Sequence, residues 1–237
     1  MNNISLPYLL MTILSAPQIR ELDRFTIDNE PISSIDLMER AASSCVDYLL
    51  KNEKLIAGKT IKVFAGQGNN GGDGLVMARQ LAEKGYEVWV YCVQTANKPT
   101  DDFLQNLKRL QKQGKVHIAN IAHSNSFPNI DENDVVIDTL FGSGLTRKVE
   151  GVMAELIAYI NKHSKMTIAI DIPSGLFCDK TSEENENAII KAHLTLSFLP
   201  VKQAFLFQEN KSFYGEVVYL DIGLLLDEYL KQKITGS

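Results

Sequence analysis

The sequence is poor in cysteine, and no cysteine or histidine spacing matches a metal site. Its three cysteines, Cys45, Cys92 and Cys178, are an odd number without a CxxC pair, and its four histidines show no HxxxH or HExxH spacing. This usage argues against a disulfide framework and against a zinc site. It is typical of a reducing compartment, so a cytoplasmic location is expected.

Positive charge and long apolar runs are also scarce. Lys and Arg total 24 against 29 Asp and Glu, a net charge of −5 at pH 7, and no basic cluster stands out. General binding to nucleic acid is therefore not expected, and an anionic ligand would depend on backbone amides and helix N-termini. No apolar run approaches the roughly 20 residues of a membrane span, so no membrane partner is expected either.

The remaining composition is that of an ordinary globular protein, with 45% hydrophobic and 22% charged residues over 237 positions. The length suits one α/β domain or at most two small ones. Strand-like runs alternate with helical patterns, which predicts a mostly parallel sheet with helices on both faces. The predicted strands are 61–65, 86–93, 115–118, 134–138, 167–171, 194–198 and 216–221, and the predicted helices are 17–28, 34–51 (with Ser34 as its N-cap), 73–84, 101–113 and 152–162.

The first strand-end loop is the richest in glycine. Ligands of such sheets bind beyond the carboxyl ends of the strands, and residues 66–74 follow the first of them as GQGNNGGDG. Five glycines in nine residues let the backbone approach a ligand closely. The helix N-terminus beyond this loop favours an anion such as a diphosphate. Asn69 and Asn70 add neutral groups for a ribose, an amide or a cation.

The same loop does not fit two common nucleotide sites. Gly66, Gly68 and Gly71 match GxGxxG, but residues 91–94 read YCVQ, without the acidic ribose partner expected about 20 residues further on. No lysine follows the glycines in the position of a P-loop lysine. An ordinary NAD dehydrogenase is therefore not favoured.

Two further strands end in an aspartate that precedes a turn. Asp138 precedes TLFGSGLTR and Asp171 precedes IPSGL. Each could cap loop amides or bind a ligand or cation, and the convergence of three such loops favours a shared pocket. Ser143 lies between glycines but does not match the GxSxG nucleophile motif. Lys202 follows a later strand and could pair with a phosphate or an aspartate, or be exposed.

Together, GQGNNGGDG, DTLFGSGL and DIPSGL, preceded by an LMERAA helix, resemble the NAD(P)HX epimerase family, the YjeF N-terminal domain. The resemblance covers roughly residues 12–225. It leaves 1–11 as an N-terminal extension and 226–237 as a C-terminal tail or the start of a linker. It implies a Rossmann-like three-layer α/β/α fold with a mostly parallel central sheet. It also implies epimerisation of the R and S forms of hydrated NADH and NADPH (NADHX and NADPHX).

The resemblance implies a substrate site and a potassium site as well. Asn70, Asp138 and Ser174 would be potassium ligands, and oxygen ligands of this kind suit a hard cation. Asp171 would lie beside the nicotinamide. The residues implied to hold the substrate are Asn69, Asn70, Gly71, Gly72, Asp73, Gly142, Ser143, Gly144, Leu145, Thr146, Arg147, Lys148 and Asp171.

Asp171 is the expected general acid or base, because inverting the hydrated carbon requires a proton to move on or off its hydroxyl. The family resemblance also implies a homodimer, and a fused or separate ADP- or ATP-dependent NAD(P)HX dehydratase as a partner. Three alternatives stay open: a non-catalytic nucleotide-binding or scaffold domain of the same fold, a dinucleotide-dependent oxidoreductase, and a nucleotide or phosphosugar binder without chemistry.

Overall fold

The computed structural model describes residues 12–94, 98–183 and 188–235. The expected extension 1–11 lies outside the described residues. In chain order the elements are β1 (Ile13–Leu14), α1 (Ala16–Asn29), α2 (Ser34–Lys51), β2 (Ile61–Ala65), α3 (Asn69–Glu83), β3 (Val88–Val93), α4 (Asp101–Gln113), β4 (His117–Ile121), β5 (Val135–Thr139), α5 (Gly151–His163), β6 (Thr167–Ile170), β7 (Leu194–Phe198), β8 (Val201–Lys202), α6 (Lys211–Tyr214), β9 (Glu216–Leu220) and α7 (Leu226–Thr235).

The central sheet has seven strands in the order β4-β3-β2-β5-β6-β7-β9. Every neighbouring pair in it is parallel. The predicted α/β class with a mostly parallel sheet is confirmed. The chain starts the sheet at β2, builds outwards to β4, and then continues on the other side from β5. The boundary between β2 and β5 is therefore the point where strand order reverses, which is where open α/β sheets bind ligands.

Side chains of the central strands alternate between two helical layers. Val63 and Ile137 pack into the cluster that holds α2, α3 and α4. Phe64 and Val136 face the other way, into the cluster that holds α5. Helices on both faces of a parallel sheet make the predicted three-layer α/β/α arrangement, and they leave the carboxyl ends of the strands as its open edge.

Helix α2 begins close to its predicted start, but with a different cap. Ser33, rather than Ser34, is the N-cap, and its Oγ accepts a hydrogen bond of 3.2 Å from the amide of Asp36. Such a cap satisfies one of the first amides of the helix, which have no acceptor within it. Beyond the cap, the apolar face of α2 packs in one core cluster with α3.

Helix α3 begins at Asn69, four residues before the predicted start at 73. Much of the expected glycine-rich loop is therefore the first turn of a helix. A Cβ on Gly71 would lie 1.7 Å from the carbonyl oxygen of Gly66, and a Cβ on Gly74 would lie 2.2 Å from Oγ1 of Thr139. These glycines allow the helix to contact the ends of β2 and β5 directly, and so they aim its N-terminus at the strand-end edge.

The terminal segments pack on the other side of this edge. Strand β1 pairs in parallel with β8, so that Leu14 lies opposite Lys202. Tyr229 of α7 stacks edge-on against Phe25 of α1 and donates a hydrogen bond of 2.8 Å to Glu21. Residues 226–235 thus form a helix packed on the body, while the boundary at residue 225 stays a prediction. No helix among the described residues is long and apolar enough to cross a membrane.

Candidate functional site

A cavity of about 1080 Å³ opens at the carboxyl ends of the strands, around the boundary of β2 and β5. Its volume lies just above the roughly 300–1,000 Å³ typical of small-molecule sites. Of the residues predicted to hold the substrate, those that line the cavity are Asn69, Asn70, Asp73, Gly142, Ser143, Gly144, Leu145, Thr146, Arg147, Lys148 and Asp171. Gly71 and Gly72 lie beneath this lining, packed against Gly66 and Met38.

Asp171 is held in an unusual backbone conformation at the inner end of the cavity. Its φ of 69° is the one positive value at a non-glycine residue in the part of the chain that the structure describes. A conformation of this kind costs about 1–3 kcal/mol and persists where surrounding contacts enforce it. Here the amide of Ser143 donates to Oδ2 at 2.9 Å, and Nζ of Lys202 pairs with Oδ1 at 2.8 Å. Each carboxylate oxygen of Asp171 is therefore held in place by one donor from the protein.

Lys202 is almost completely buried, at 1% exposure. Besides Asp171, its ammonium donates to the carbonyl oxygen of Phe198 at 2.7 Å and to Oγ of Ser197 at 3.1 Å. All three N–H bonds therefore have an acceptor. The sequence left open an exposed lysine, a phosphate partner or an aspartate partner, and the structure shows the aspartate.

The three predicted potassium ligands meet at the wall of the cavity, which Asn70 lines. Asp138, which is fully buried, accepts from the amide of Ser174 at 2.8 Å and from its Oγ at 2.6 Å. Asn70 donates from Nδ2 to the carbonyl oxygen of Phe141 at 2.9 Å, and Oγ of Ser174 lies 3.2 Å from the same oxygen. Burial raises the pKa of Asp138 to about 6, although its hydrogen bonds act in the opposite direction.

One atom of this group is left without a partner. Oδ1 of Asn70 is buried and has no hydrogen-bond donor opposite it among the described residues. Buried polar atoms of this kind are rare, and an ordered water or a bound ion would satisfy this one. No group of three or more His, Cys, Asp or Glu within the described ranges is arranged to hold a metal. The set around Asn70 consists instead of one carboxylate with neutral oxygens, which fits a large monovalent cation better than a transition metal.

Two more carboxylates face the inner part of the cavity. Burial, followed by the charge of Asp171, raises the pKa of Asp73 well above its usual range. Burial, again followed by Asp171, raises the pKa of Asp23 to about 6, while Lys202 lowers it. Asp23 belongs to α1 and was not singled out by sequence. Its spacing could have indicated a functional role, because Asp23 lies four residues from both Ile19 and Ile27 and therefore on the apolar face of the helix.

The rim of the cavity is positively charged on balance. It carries one exposed acidic residue, Glu150, and four exposed basic residues, Arg20, Lys98, Arg147 and Lys148. Acidic groups at the inner end and basic groups at the mouth suit a ligand that is polar at one end and anionic further out. The protein thus contributes more positive charge to the site than its net charge of −5 suggests.

The fold and the site together define a Rossmann-like α/β protein with a nucleotide-sized cavity at its switch point. A family model described as YjeF-related protein N-terminus matches residues 34–204. The chain belongs to this family, as its motifs indicated.

Several curated proteins are similar over most of the chain. The NAD(P)H-hydrate epimerase of Anaerococcus prevotii is 33% identical over 90% of this chain and 96% of its own length. That of Lentilactobacillus buchneri is 35% identical over 89% and 94%. The bifunctional NAD(P)H-hydrate repair enzyme Nnr of Moorella thermoacetica is 32% identical over 90% of this chain, which spans only 41% of that enzyme.

Among solved structures, the crystal structure of yeast ynu0 is similar, with a TM-score of 0.70 and 23% sequence identity. The match covers 89% of this chain and 88% of the yeast chain. This likeness supports the fold.

Proposed function

We propose that this protein is an isomerase that interconverts the R and S epimers of hydrated NADH and NADPH. The observation that carries the proposal is the conformation of Asp171, whose carboxylate is fixed by Lys202 and Ser143 at the inner end of a dinucleotide-sized cavity. A scaffold domain would not need a strained and ion-paired aspartate there. The similarity to epimerases over most of the chain supports the same conclusion.

The charge pattern of the cavity indicates how the substrate lies. The diphosphate would bind near the N-terminus of α3, where amides and the helix dipole favour an anion. Arg147 and Lys148 at the rim would add positive charge to that region. The hydrated nicotinamide would then reach Asp171 at the inner end. Residues 142–148, which follow β5, would close around the middle of the substrate.

The chemistry consists of proton transfers around the hydrated carbon. The hydrated carbon C6 carries a hydroxyl next to the ring nitrogen, so it can invert by ring opening to an aldehyde or by loss of the hydroxyl to an iminium. Asp171 as a carboxylate would take the hydroxyl proton in the first route, or take a proton from the returning water in the second. A well-placed acid or base contributes about 10²–10⁴-fold to the rate.

We further propose a potassium ion held by Asn70, Asp138 and Ser174, since the buried and unpartnered Oδ1 of Asn70 fits such a ligand set. When bound, the ion would supply fixed positive charge that helps position the substrate. Melting temperatures in potassium chloride and in tetramethylammonium chloride at equal ionic strength test this. We expect a higher value in potassium, because a ligand of the folded state stabilises it. An Asn70→Ala variant should lose the difference, and equal values for the unaltered protein would contradict the site.

The epimerase proposal is tested with one separated epimer of NADPHX, followed by chromatography as the R and S forms interconvert. We expect the protein to accelerate interconversion and Asp171→Asn to lose about 10²–10⁴-fold of the rate. Asp47→Asn is the matched control, since Asp47 is exposed on α2. Interconversion no faster than the spontaneous rate would favour the binding or scaffold alternative. An active Asp171→Asn variant would remove Asp171 from the chemistry.

We also propose a dehydratase partner, a cytoplasmic location and a homodimer. The similarity to a bifunctional repair enzyme supports a dehydratase as the functional partner, fused or separate. A cytoplasmic location is supported by the three cysteines, which are all free and buried. The expected homodimer is tested by the mass in solution from light scattering.

A further inference from the structure

We propose that Asp23 is a second catalytic residue, which exchanges a proton with the substrate while Asp171 serves as its complement. This inference rests on the proposed epimerisation and deepens it. It concerns a residue that lies outside the region 34–204 matched by the family model.

Asp23 reaches the cavity from an element that the strand-end motifs do not include. Helix α1 turns one face towards the cavity, so that Ile19, Asp23 and Ile27 all line it. Residues four apart lie on the same side of a helix, so the carboxylate of Asp23 stands between the two isoleucines of this lining. A charged group at such a position is rare unless it has a partner or a function.

Among the residues that the structure describes, the carboxyl group of Asp23 forms no hydrogen bond and no ion pair. Asp171 in the same cavity receives both an ammonium and an amide. The carboxylate of Asp171 is thus held by protein donors, whereas the carboxyl group of Asp23 lines the space where a ligand would bind and has no such donor.

The carboxyl groups of Asp23 and Asp171 have different electrostatic surroundings. Burial and then Asp171 raise the pKa of Asp23 to about 6, and Lys202 acts in the opposite direction. Asp73 faces the same space, and the charge of Asp23 contributes to its raised pKa. Asp23 therefore keeps its proton to a higher pH than an ordinary aspartate, whereas Asp171 is ion-paired with Lys202. Two carboxyl groups in different environments are a common arrangement for an acid and a base.

Both routes of inversion need this division. In ring opening, Asp171 takes the hydroxyl proton, the C6–N1 bond breaks with its electron pair passing to N1, and N1 takes a proton from Asp23. Closure on the other face returns both protons. In the iminium route, Asp23 protonates the departing hydroxyl, which leaves as water. Water then adds to the other face, Asp171 takes its proton, and the proton returns to Asp23 through the cavity water. Neither route needs an oxidant or a co-reactant.

The test uses Asp23→Asn, with Asp28→Asn as the matched control, because Asp28 is exposed on the same helix. We expect kcat of Asp23→Asn to fall about 10²-fold or more while KM changes by only a few-fold. The kcat/KM of the unaltered protein, which reports the pKa values of the free enzyme, should decline as pH rises through about 6, where Asp23 loses its proton. This decline with rising pH should be absent in Asp23→Asn. It should persist in Asp23→Glu, which still has a carboxyl group and should keep part of the activity.

The outcomes separate the two proposals. Full activity of Asp23→Asn with an unchanged pH profile, beside a loss in Asp171→Asn, would overturn the role of Asp23 and leave the epimerase proposal standing. No epimerisation by the unaltered protein would overturn both. A lower rate that Asp23→Glu does not restore, with an unchanged decline at rising pH, would identify a structural role and also refute the inference. Thermal unfolding of each variant shows that the compared proteins are folded.

Discussion

Replacing Lys202 with methionine is expected to destabilise the protein strongly, because it removes one half of a buried ion pair. Lys202 is 1% exposed and Asp171 is 9% exposed, and their charged atoms lie 2.8 Å apart. Without the ammonium, Asp171 keeps only the amide of Ser143 as a donor in the contacts described above. Removing one partner of such a pair costs about 3–5 kcal/mol, since the other charge stays buried and uncompensated.

The expected loss is large enough to measure by thermal or urea unfolding. For a chain of this length, 1 kcal/mol corresponds to about 2–4 °C in Tm, so Lys202→Met should melt roughly 6–20 °C lower. Combining Lys202→Met with Asp171→Asn should restore part of that loss, because neither charge then remains. A double-mutant cycle should show a coupling energy of about 0.5–3 kcal/mol.

The control is Lys84→Met, which alters an exposed lysine at the end of α3 and should change stability by less than about 0.5 kcal/mol. If Lys202→Met is equally mild, or if its effect simply adds to that of Asp171→Asn, the ion pair does not contribute as argued. The same series separates stability from rate, because epimerisation by each folded variant can be followed in parallel.

Two other predictions concern stability alone. The pKa of Asp23 is raised from 3.8 to about 6 in the folded state, so its contribution to stability is present below pH 4 and is lost as pH rises through 6. One unit of pKa shift corresponds to about 1.4 kcal/mol of free energy, so Asp23→Asn should stabilise the protein at pH 7 by up to about 3 kcal/mol. At pH 3.5 the variant should bring no gain, and urea unfolding at both pH values measures the difference. Gly71→Ala should cost several kcal/mol or prevent folding, because its Cβ would lie 1.7 Å from the carbonyl oxygen of Gly66; Gly68→Ala, with nothing within 4 Å, should be mild. Similar urea midpoints for the two alanine variants would contradict the close contact of helix and strand.

Much of the fold was predictable from sequence because its signals are local. Helix α4 and strand β7 have the predicted bounds. The apolar repeat of the helix and the run of β-forming residues in the strand are each contained within the element that they predict. The edge strand β4 lies at His117–Ile121 rather than 115–118, because most of its side chains are exposed and carry no clear pattern. Helix α3 was predicted to start too late, because its glycines read as a loop until their contacts with β2 and β5 are known.

Sequence alone was enough to identify the parallel α/β class, the order of the strand-end motifs and the family to which they belong. The folded structure was needed to show that Lys202 is the buried partner of Asp171 and that Asp23 faces the same cavity. Lys202 follows Asp171 by about thirty residues, and Asp23 precedes it by nearly one hundred and fifty. No local pattern links them. Their proximity arises from packing α1 and β8 against the open edge of the sheet, which is a property of the whole chain.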